Sequence, residues 1–363
     1  MRVLWIADGL EGFPDADPAS LCASRMASQR LRIGVPVREL QSGAVSPDTA
    51  VVAASHQLLD IATALEGVSA GELSEVVVFS KVLQRHAAHV QAHVELARQL
   101  AARGSRVVMD ICDNPFGQPL SGGLLELLKL ADVVVANSPA MAEIIATHAG
   151  REAVVIADPV EGLRRPPRFA PQARGAGWLR RASGQLTLLW FGANYAYLRP
   201  WLPRLEAYAR GGIGIELRLV SAPLPEIEAD LARWSPAAGG ELTLGFTPWS
   251  PDVLAAALAG CDLVFLPSDP ADPYRIAASA NRLTESLQAG RLVVASGVPS
   301  YWEFRDSAWI GERLEDGLDW ALVHPREVLA RIAAGQQRVD AHYLPAVVAA
   351  AWAEVLGIRP VPA

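Results

Sequence analysis

The sequence predicts an α/β protein built from two doubly wound parallel-sheet domains. Three observations carry this expectation. Uninterrupted Val- and Ile-rich runs recur along the chain, as in strands buried on both faces. Helical periods separate most of these runs, which is the alternation of parallel βαβ units. The alternation pauses at an Arg/Pro/Gly-rich stretch over residues 163–185 and then restarts. A chain of 363 residues is also long for one core and comfortable for two.

The elements follow in order. A strand is predicted over residues 3–7, a helix over 18–31 and an extended segment over 35–40. Glu75-Val-Val-Val-Phe79 is a second strand, and a long helix over 84–103 ends at Gly104. Strand 106–111 runs into Cys112-Asp113-Asn114-Pro115. Helix 124–130, strand 132–136, helix 139–149 and strand 153–156 complete a first domain over residues 1–162. Residues 163–185 carry Arg164, Arg165, Arg168, Arg174, Arg180 and Arg181 among prolines and glycines and read as a linker. Its first reading is a solvated hinge; the second is a weak attraction to an anionic membrane or a lipid-linked acceptor. A second domain over 186–340 follows, with strands at 186–191, 215–220, 241–246, 263–266 and 292–295. Helices at 201–210, 226–234 and 252–259, and one from residue 281 to the stop at Gly290, lie between them. In the tail, 341–363, a helix over 344–356 is apolar on most sides and is expected to pack onto a domain, with a crossing back to the first as one option.

Bulk composition bounds the function. Hydrophobic residues make up 51% and charged residues 20%, as in an ordinary globular enzyme rather than a disordered chain. The net charge of −7 gives no basic footprint for nucleic acid, so no nucleic-acid partner is expected. Cys22, Cys112 and Cys261 are widely spaced and form neither a metal motif nor a disulfide framework. No signal peptide or membrane-spanning run is apparent, so a cytoplasmic protein is expected, with peripheral association at the inner face of the membrane left open.

The most informative segment is Ser279-Ala-Asn-Arg-Leu-Thr-Glu-Ser-Leu-Gln-Ala-Gly-Arg-Leu-Val-Val-Ala295. Leu283 and Leu287 share one helical face, whereas Asn281, Arg282 and Glu285 fall off it. The segment follows strand Leu263-Val-Phe-Leu266 and its Pro267-Ser268 turn. A helix start carrying Ser279, Asn281 and Arg282 therefore follows the carboxyl end of a strand, where an open α/β sheet binds ligands and a helix N-terminus meets phosphate. A solvated polar helix face is the alternative for each residue taken singly.

This block resembles the donor-site segment of GT-B glycosyltransferases, in particular the large retaining group (group 1, family four-like). Other segments resemble the same group in order: Leu130-Ala-Asp-Val-Val-Val-Ala-Asn-Ser138, Val155-Ile-Ala-Asp-Pro-Val160, Leu189-Trp-Phe-Gly192 and Gly260-Cys-Asp-Leu-Val-Phe-Leu-Pro-Ser268. The resemblance covers nearly the whole chain and implies two Rossmann-like domains facing a central cleft. It further implies transfer of a sugar from a nucleotide-sugar donor, the substrate rather than a cofactor, to a glycan, lipid-linked or protein acceptor. Surface polysaccharide or glycoconjugate synthesis is the implied setting, without a bound metal. In that group the glutamate matching Glu285 holds the ribose. A first glutamate eight positions earlier is replaced here by Ala277, and the basic pair expected after Gly192 is replaced by Gly192-Ala-Asn-Tyr-Ala-Tyr-Leu-Arg199. Only Asn194 and Arg199 remain there, which leaves room for a donor with a single phosphate. Arg282 becomes the candidate for the phosphate, because its fork engages two oxygens. Gly192 admits close approach of backbone to ligand. Trp249, after strand 241–246, is either a base-stacking or a core tryptophan.

In the first domain, Gly9 and Gly12 make an open loop after the first strand, without the full dinucleotide fingerprint. Arg25 is a candidate for an anionic acceptor, and Lys81 for an acidic acceptor or the donor's charge. Asp113 is the first candidate for catalytic base or acceptor binder, and Asp110 the second. An Asx turn before Pro115 is the structural alternative. His86, His89 and His93 share a helix, but no fourth ligand or zincin glutamate accompanies them, so no metal is expected. A nucleotide-sugar epimerase of the same architecture, a non-catalytic binding subunit and, more weakly, an oxidoreductase remain as competing readings.

Overall fold

A computed structural model describes residues 1–10, 17–43, 54–82, 86–116, 119, 121–173, 184–234 and 240–358. The chain divides into two compact units. The first comprises Met1–Glu161, Ile276–Ser279 and Ala341–Ala363, and the second Gly162–Arg275 and Ala280–Asp340. Each is an α/β unit around an all-parallel six-stranded sheet, to which the second adds one short antiparallel strand.

The first sheet contains β1 (Arg2–Ala7), β2 (Ser55–Leu59), β3 (Val76–Ser80), β4 (Arg106–Ile111), β5 (Val133–Ala136) and β6 (Val154–Val155), in the order β2-β1-β3-β4-β5-β6. Val3, Trp5, Val77, Val78 and Val108 are fully buried, as their apolar runs require in a sheet covered on both faces. The 3-10 turn Pro18–Ala23 leads to α1 (Ala27–Gln29), a π-helical stretch Arg30–Gly34 and α2 (Val35–Ser42). Then come α3 (Ile61–Ser69), α4 (Ala87–Ala102), α5 (Ser121–Leu130) and α6 (Pro139–Ala149). In α6 the start and stop are written locally. Ser138 Oγ accepts from Met141 N at 3.2 Å, Pro139 opens the first turn, and Gly150 closes it at φ +61°.

The second sheet runs β10-β9-β8-β11-β12-β13. Its strands are β8 (Gly184–Phe191), β9 (Ile213–Ser221), β10 (Leu242–Pro248), β11 (Leu263–Leu266), β12 (Leu292–Ala295) and β13 (Trp309–Ile310), with β7 (Gln172–Ala173) antiparallel to β8. The helices are α7 (Leu202–Ala209), α8 (Pro225–Arg233), α9 (Pro251–Gly260), α10 (Pro273–Ile276), α11 (Asn281–Gln288), α12 (Leu314–Val323) and α13 (Pro325–His342). The final helix, α14 (Pro345–Leu356), belongs to the first unit. There Trp352 is fully buried and meets Trp5 edge-on at 5.4 Å.

Several expectations change. Residues 35–40 are helical, not extended. The alternation of Val35 and Val37 imitates a strand, but Pro36 sits in the first turn, where its missing N–H is harmless, and Val37 and Leu40 bury against α14. Residues 18–31 are not one helix but break at Ser24, because the chain doubles back there. A Cβ on Gly34 would lie 2.5 Å from Cys22 N, so glycine is required at that crossing. Residues 163–173, read as linker, belong to the second unit: Arg165 N donates to Gln288 O and Arg168 N to Gly290 O. Gly290, at φ +74°, abuts Pro166 O so closely that no side chain fits. Arg174, Arg180 and Arg181 lie outside the described residues. β2 and α3 escaped the sequence reading because Ser55-His-Gln57 is polar and the strand is an edge.

Two outcomes follow from this packing. Trp352→Ala should lower unfolding stability by about 3–5 kcal/mol in urea titrations, since a fully buried indole is removed. His56 accepts the Trp5 Nε1–H at 3.0 Å, and burial pushes its pKa down from 6.5 to about 4. With the folded value depressed, the unfolded chain takes the proton first as pH falls below 6.5. Stability should therefore drop between pH 6.5 and about 4, by on the order of 2–3 kcal/mol relative to His56→Phe measured in parallel.

Candidate functional site

In the second unit the strand order reverses between β8 and β11, and an open parallel sheet leaves its ligand crevice at the carboxyl ends beside such a reversal. β8 ends at Phe191 and enters Gly192, and β11 ends at Leu266 and enters Pro267-Ser268. Gly192 adopts φ +147°, and a Cβ there would lie 3.0 Å from Nη1 of Arg282. Arg282 Nη1 also donates to Phe191 O at 3.2 Å. The missing side chain is what admits the guanidinium. The fold thus brings together Gly192 and Arg282, two residues singled out separately from the sequence.

A second cation joins them. Arg275, in α10, donates from Nε to Ser268 Oγ at 2.9 Å and lies 5.5 Å from the Tyr197 ring centre. Burial, and then the neighbouring Arg282 charge, hold its pKa below the ordinary arginine value. Neither arginine has an ion-pair partner among the described residues. Two neighbouring guanidinium groups repel one another, Asp272 offsets this only in part at Arg275, and an anion relieves it further. Sequence reading missed Arg275, which lies outside every motif. The signal was its place in the short helix after β11, nine residues past the strand end at Leu266.

The basic pair is therefore not rebuilt after Gly192. Arg199 Nε binds Asp230 at 3.0 Å, and Tyr195 donates to the same carboxylate at 3.0 Å. Asn194 caps its own turn by accepting from Ala196 N at 3.3 Å. The first turn of α11 is also closed by its own chain. Asn281 Oδ1 accepts from Arg282 N at 2.7 Å, and Ala280 O accepts from Leu283 N and Thr284 N. Side chains, rather than these amides, are what the site offers. Ser279 falls in the first unit, where its hydroxyl bonds Asp158. Ala277, at the position of the family's first glutamate, is fully buried in the first unit's core. Glu285 is 9% exposed, and its Oε2 accepts from Gly162 N at 3.1 Å. Trp249 follows β10, an edge strand two removed from the reversal, and its N–H donates to Ser221 O at 2.9 Å.

The first sheet reverses beside β1 and β3. Asp8 and Gly9 follow β1, Lys81 follows β3, and Asp113 lies just past β4. Gly9 has φ +72°, and Gln29 Nε2 pins the loop by donating to Asp8 O and Gly9 O at 2.8 and 2.9 Å. Lys81 is the one non-glycine at positive φ (+56°) among the described residues, a strained conformation of the kind stored at functional sites. Its ammonium contacts Asp113 Oδ2. Burial opposes the charge on Lys81, but the Asp113 and Asp110 carboxylates beside it hold its pKa above the ordinary lysine value. Burial pushes the Cys112 thiol far up, so it is not a thiolate. Lys81, Asp113 and Asn114 line a pocket at this edge with Val82, Ile111 and Pro115. The Asx turn before Pro115 comes from Asn114, which accepts from Phe116 N, and not from Asp113. Arg25 is exposed, and Gly12 lies outside the described residues.

Asp110 lies inside the first unit rather than at its open edge. It is fully buried against Arg32, with Nη2 to Oδ1 at 2.7 Å, and it accepts from Ser80 Oγ at 2.7 Å. Arg32 also donates to Ile156 O at 2.6 Å, pairs with Asp158 at 3.2 Å and lies 5.5 Å from the Trp352 ring centre. Burial opposes the Arg32 charge, yet these carboxylates hold its pKa above the usual value. Asp158 is raised by burial, which outweighs Arg32 and Ser279. Arg32 was invisible in the sequence because an arginine on a helix reads as solvated.

No protein-family model and no curated protein matches this sequence. Solved structures do match in fold. HepE of Anabaena, in complex with UDP and glucose, aligns over 98% of this chain and 99% of its own, with a TM-score of 0.60 and 13% identity. An E. coli trehalose-6-phosphate structure bound with UDP-2-fluoro glucose aligns over 99% and 100%, with a TM-score of 0.63 and 11% identity. A glycosyltransferase from Rickettsia africae aligns over 98% and 97%, with a TM-score of 0.62 and 11% identity. The chain has the fold of these GT-B glycosyltransferases. Among its described residues, no helix is long and apolar enough to cross a membrane.

The two aspartates separate by stability. Asp110→Asn should lower unfolding stability by about 3–5 kcal/mol, because it leaves Arg32 buried with one partner fewer. Asp113→Asn, 63% exposed, should stay within about 0.5 kcal/mol in the same urea titration.

Proposed function

We propose that the protein is a glycosyltransferase that takes a sugar from a nucleoside diphosphate sugar and passes it to a hydroxyl of a glycan, lipid-linked or protein acceptor. The observation that carries this reading is the Arg275–Arg282 pair beside Gly192, two guanidinium groups with no ion-pair partner among the described residues, at the sheet reversal of the second unit. Breaking the bond between sugar and phosphate leaves charge on the departing phosphate. Preorganised cations in a half-buried site stabilise that charge most as it develops. A pair of arginines suits two phosphates better than one, which favours a diphosphate donor over the single-phosphate donor that the turn after Gly192 had left open. UDP accompanies several neighbours of this fold, and uridine is the base we assign.

Glu285 is assigned to the nucleotide ribose, held in place by the Gly162 amide. On the first unit, Lys81 and Asp113 are assigned to the acceptor. The carboxylate takes a hydrogen bond from the acceptor hydroxyl and, if the anomeric configuration inverts, its proton. Surface polysaccharide or glycoconjugate synthesis, at the inner face of the membrane, is the setting proposed for it.

A thermal-shift panel of uridine, guanosine and cytidine mono- and diphosphates tests the donor site. UDP should raise Tm most, and Arg275→Ala and Arg282→Ala should each weaken UDP about 10–100-fold, as expected for lost charge-assisted bonds. Glu285→Ala should weaken it to a smaller extent. No stabilisation by any nucleotide, or wild-type affinity in both arginine variants, would overturn the reading.

A further inference from the structure

We propose that Asp8, His89 and His93 form a binding site for a borderline divalent cation, of which Zn²⁺ is the representative, at the strand reversal of the first unit. His89-Val-Gln-Ala-His93 places two imidazoles one helical turn apart on α4, the i, i+4 spacing of paired zinc ligands. The fold adds a carboxylate from the end of β1. One ligand atom from each of the three lies within 4.8 Å of the others. His89 Nε2 is 2.9 Å from Asp8 Oδ2, and His93 Nε2 is 3.7 Å from Asp8 Oδ1. Separations of this size are those between neighbouring ligands on one small cation.

The tautomer of His93 carries the argument. Its Nδ1 lies 2.9 Å from the backbone O of His89, and a carbonyl only accepts, so Nδ1 holds the proton. A ligating histidine is oriented in this way by a hydrogen bond from its other nitrogen. In the neutral ring Nε2 is then a bare lone pair. That atom is fully buried, has no hydrogen-bond partner and faces the Asp8 carboxylate. A lone pair aimed at a carboxylate is repulsive unless a cation lies between them. His89 donates Nε2–H to Asp8 in the metal-free state, so binding the cation through that nitrogen moves the proton to Nδ1. His86, the third histidine of the helix, is excluded: its Nδ1 caps α4 by accepting from His89 N at 3.1 Å. Two imidazoles and a carboxylate are a donor set for Zn²⁺ or Co²⁺ rather than Mg²⁺ or Ca²⁺, and three protein ligands leave a fourth position for water or a substrate oxygen.

Co²⁺ titration of the untagged, chelator-stripped full chain tests the site. Visible d–d bands should saturate at one Co²⁺ per chain and be lost on adding Zn²⁺, and Zn²⁺ should raise Tm. Asp8→Asn and the more exposed His89→Gln, each checked for folding by circular dichroism, should weaken binding at least tenfold. Absence of both the bands and the Zn²⁺-dependent Tm rise, or undiminished binding in both variants, would overturn the assignment. UDP binding in the thermal-shift panel rests on the other unit's arginines, so the two readings fail separately.

Discussion

Parallel pairing is the constraint on which the rest of this molecule depends. A parallel sheet must hide both faces beneath helices, and it delivers the carboxyl end of every strand to one edge. The Val-rich runs of β3, β4, β5 and β12 exist to satisfy the first requirement. The second requirement decides where chemistry sits. Asp8, Lys81 and Asp113 share the edge of one sheet, and Gly192, Ser268 and Arg275 share the edge of the other, because each directly follows its strand or lies in the turn after it. Where the strand order reverses, neighbouring loops diverge to opposite faces and leave a crevice. Gly192 with Arg282 and Asp8 with His89 both lie at such a reversal.

The buried charges divide into two kinds by their partners. Arg32 is enclosed and saturated: two carboxylates, one backbone carbonyl and the face of Trp352 surround it. Such a network holds β4, the end of β6 and α14 in one arrangement, and leaves nothing for a ligand. Arg275 and Arg282 are half-buried with hydrogen bonds to neutral oxygens and no ion-pair partner among the described residues. The first kind is structure, and the second is the kind of site proposed to take an anion. Asp110 and Arg199 are paired groups of the first kind, and Arg275 is one of the second.

Much was legible in sequence. The strands β1, β3, β4, β8, β9, β11 and β12 were placed by apolar runs, and α6, α9 and α11 by periodicity with Ser, Pro or Gly at their ends. What escaped was of two sorts. β2 is a polar edge strand, and α2 carries a valine alternation that imitates one, so local pattern misled where burial on one face decided. In the site, Arg282 and Gly192 were found because each sits at a strand-to-helix junction, whereas Arg275 is marked only by its place in the segment after β11 and Arg32 carries no local mark at all.

The sequence by itself therefore determined the class of fold, the placement of most parallel strands and the edge at which ligands are met, since these follow from hydrophobic period and from turn residues that act over a few positions. The tertiary structure alone decided which charges are paired. Arg32 meets Asp110 across 78 positions and Arg282 meets Phe191 across 91. Asp8 meets His89 across 81. Whether a charge is neutralised depends on partners that distant, in a medium where an unpaired one is costly, and no local pattern encodes that.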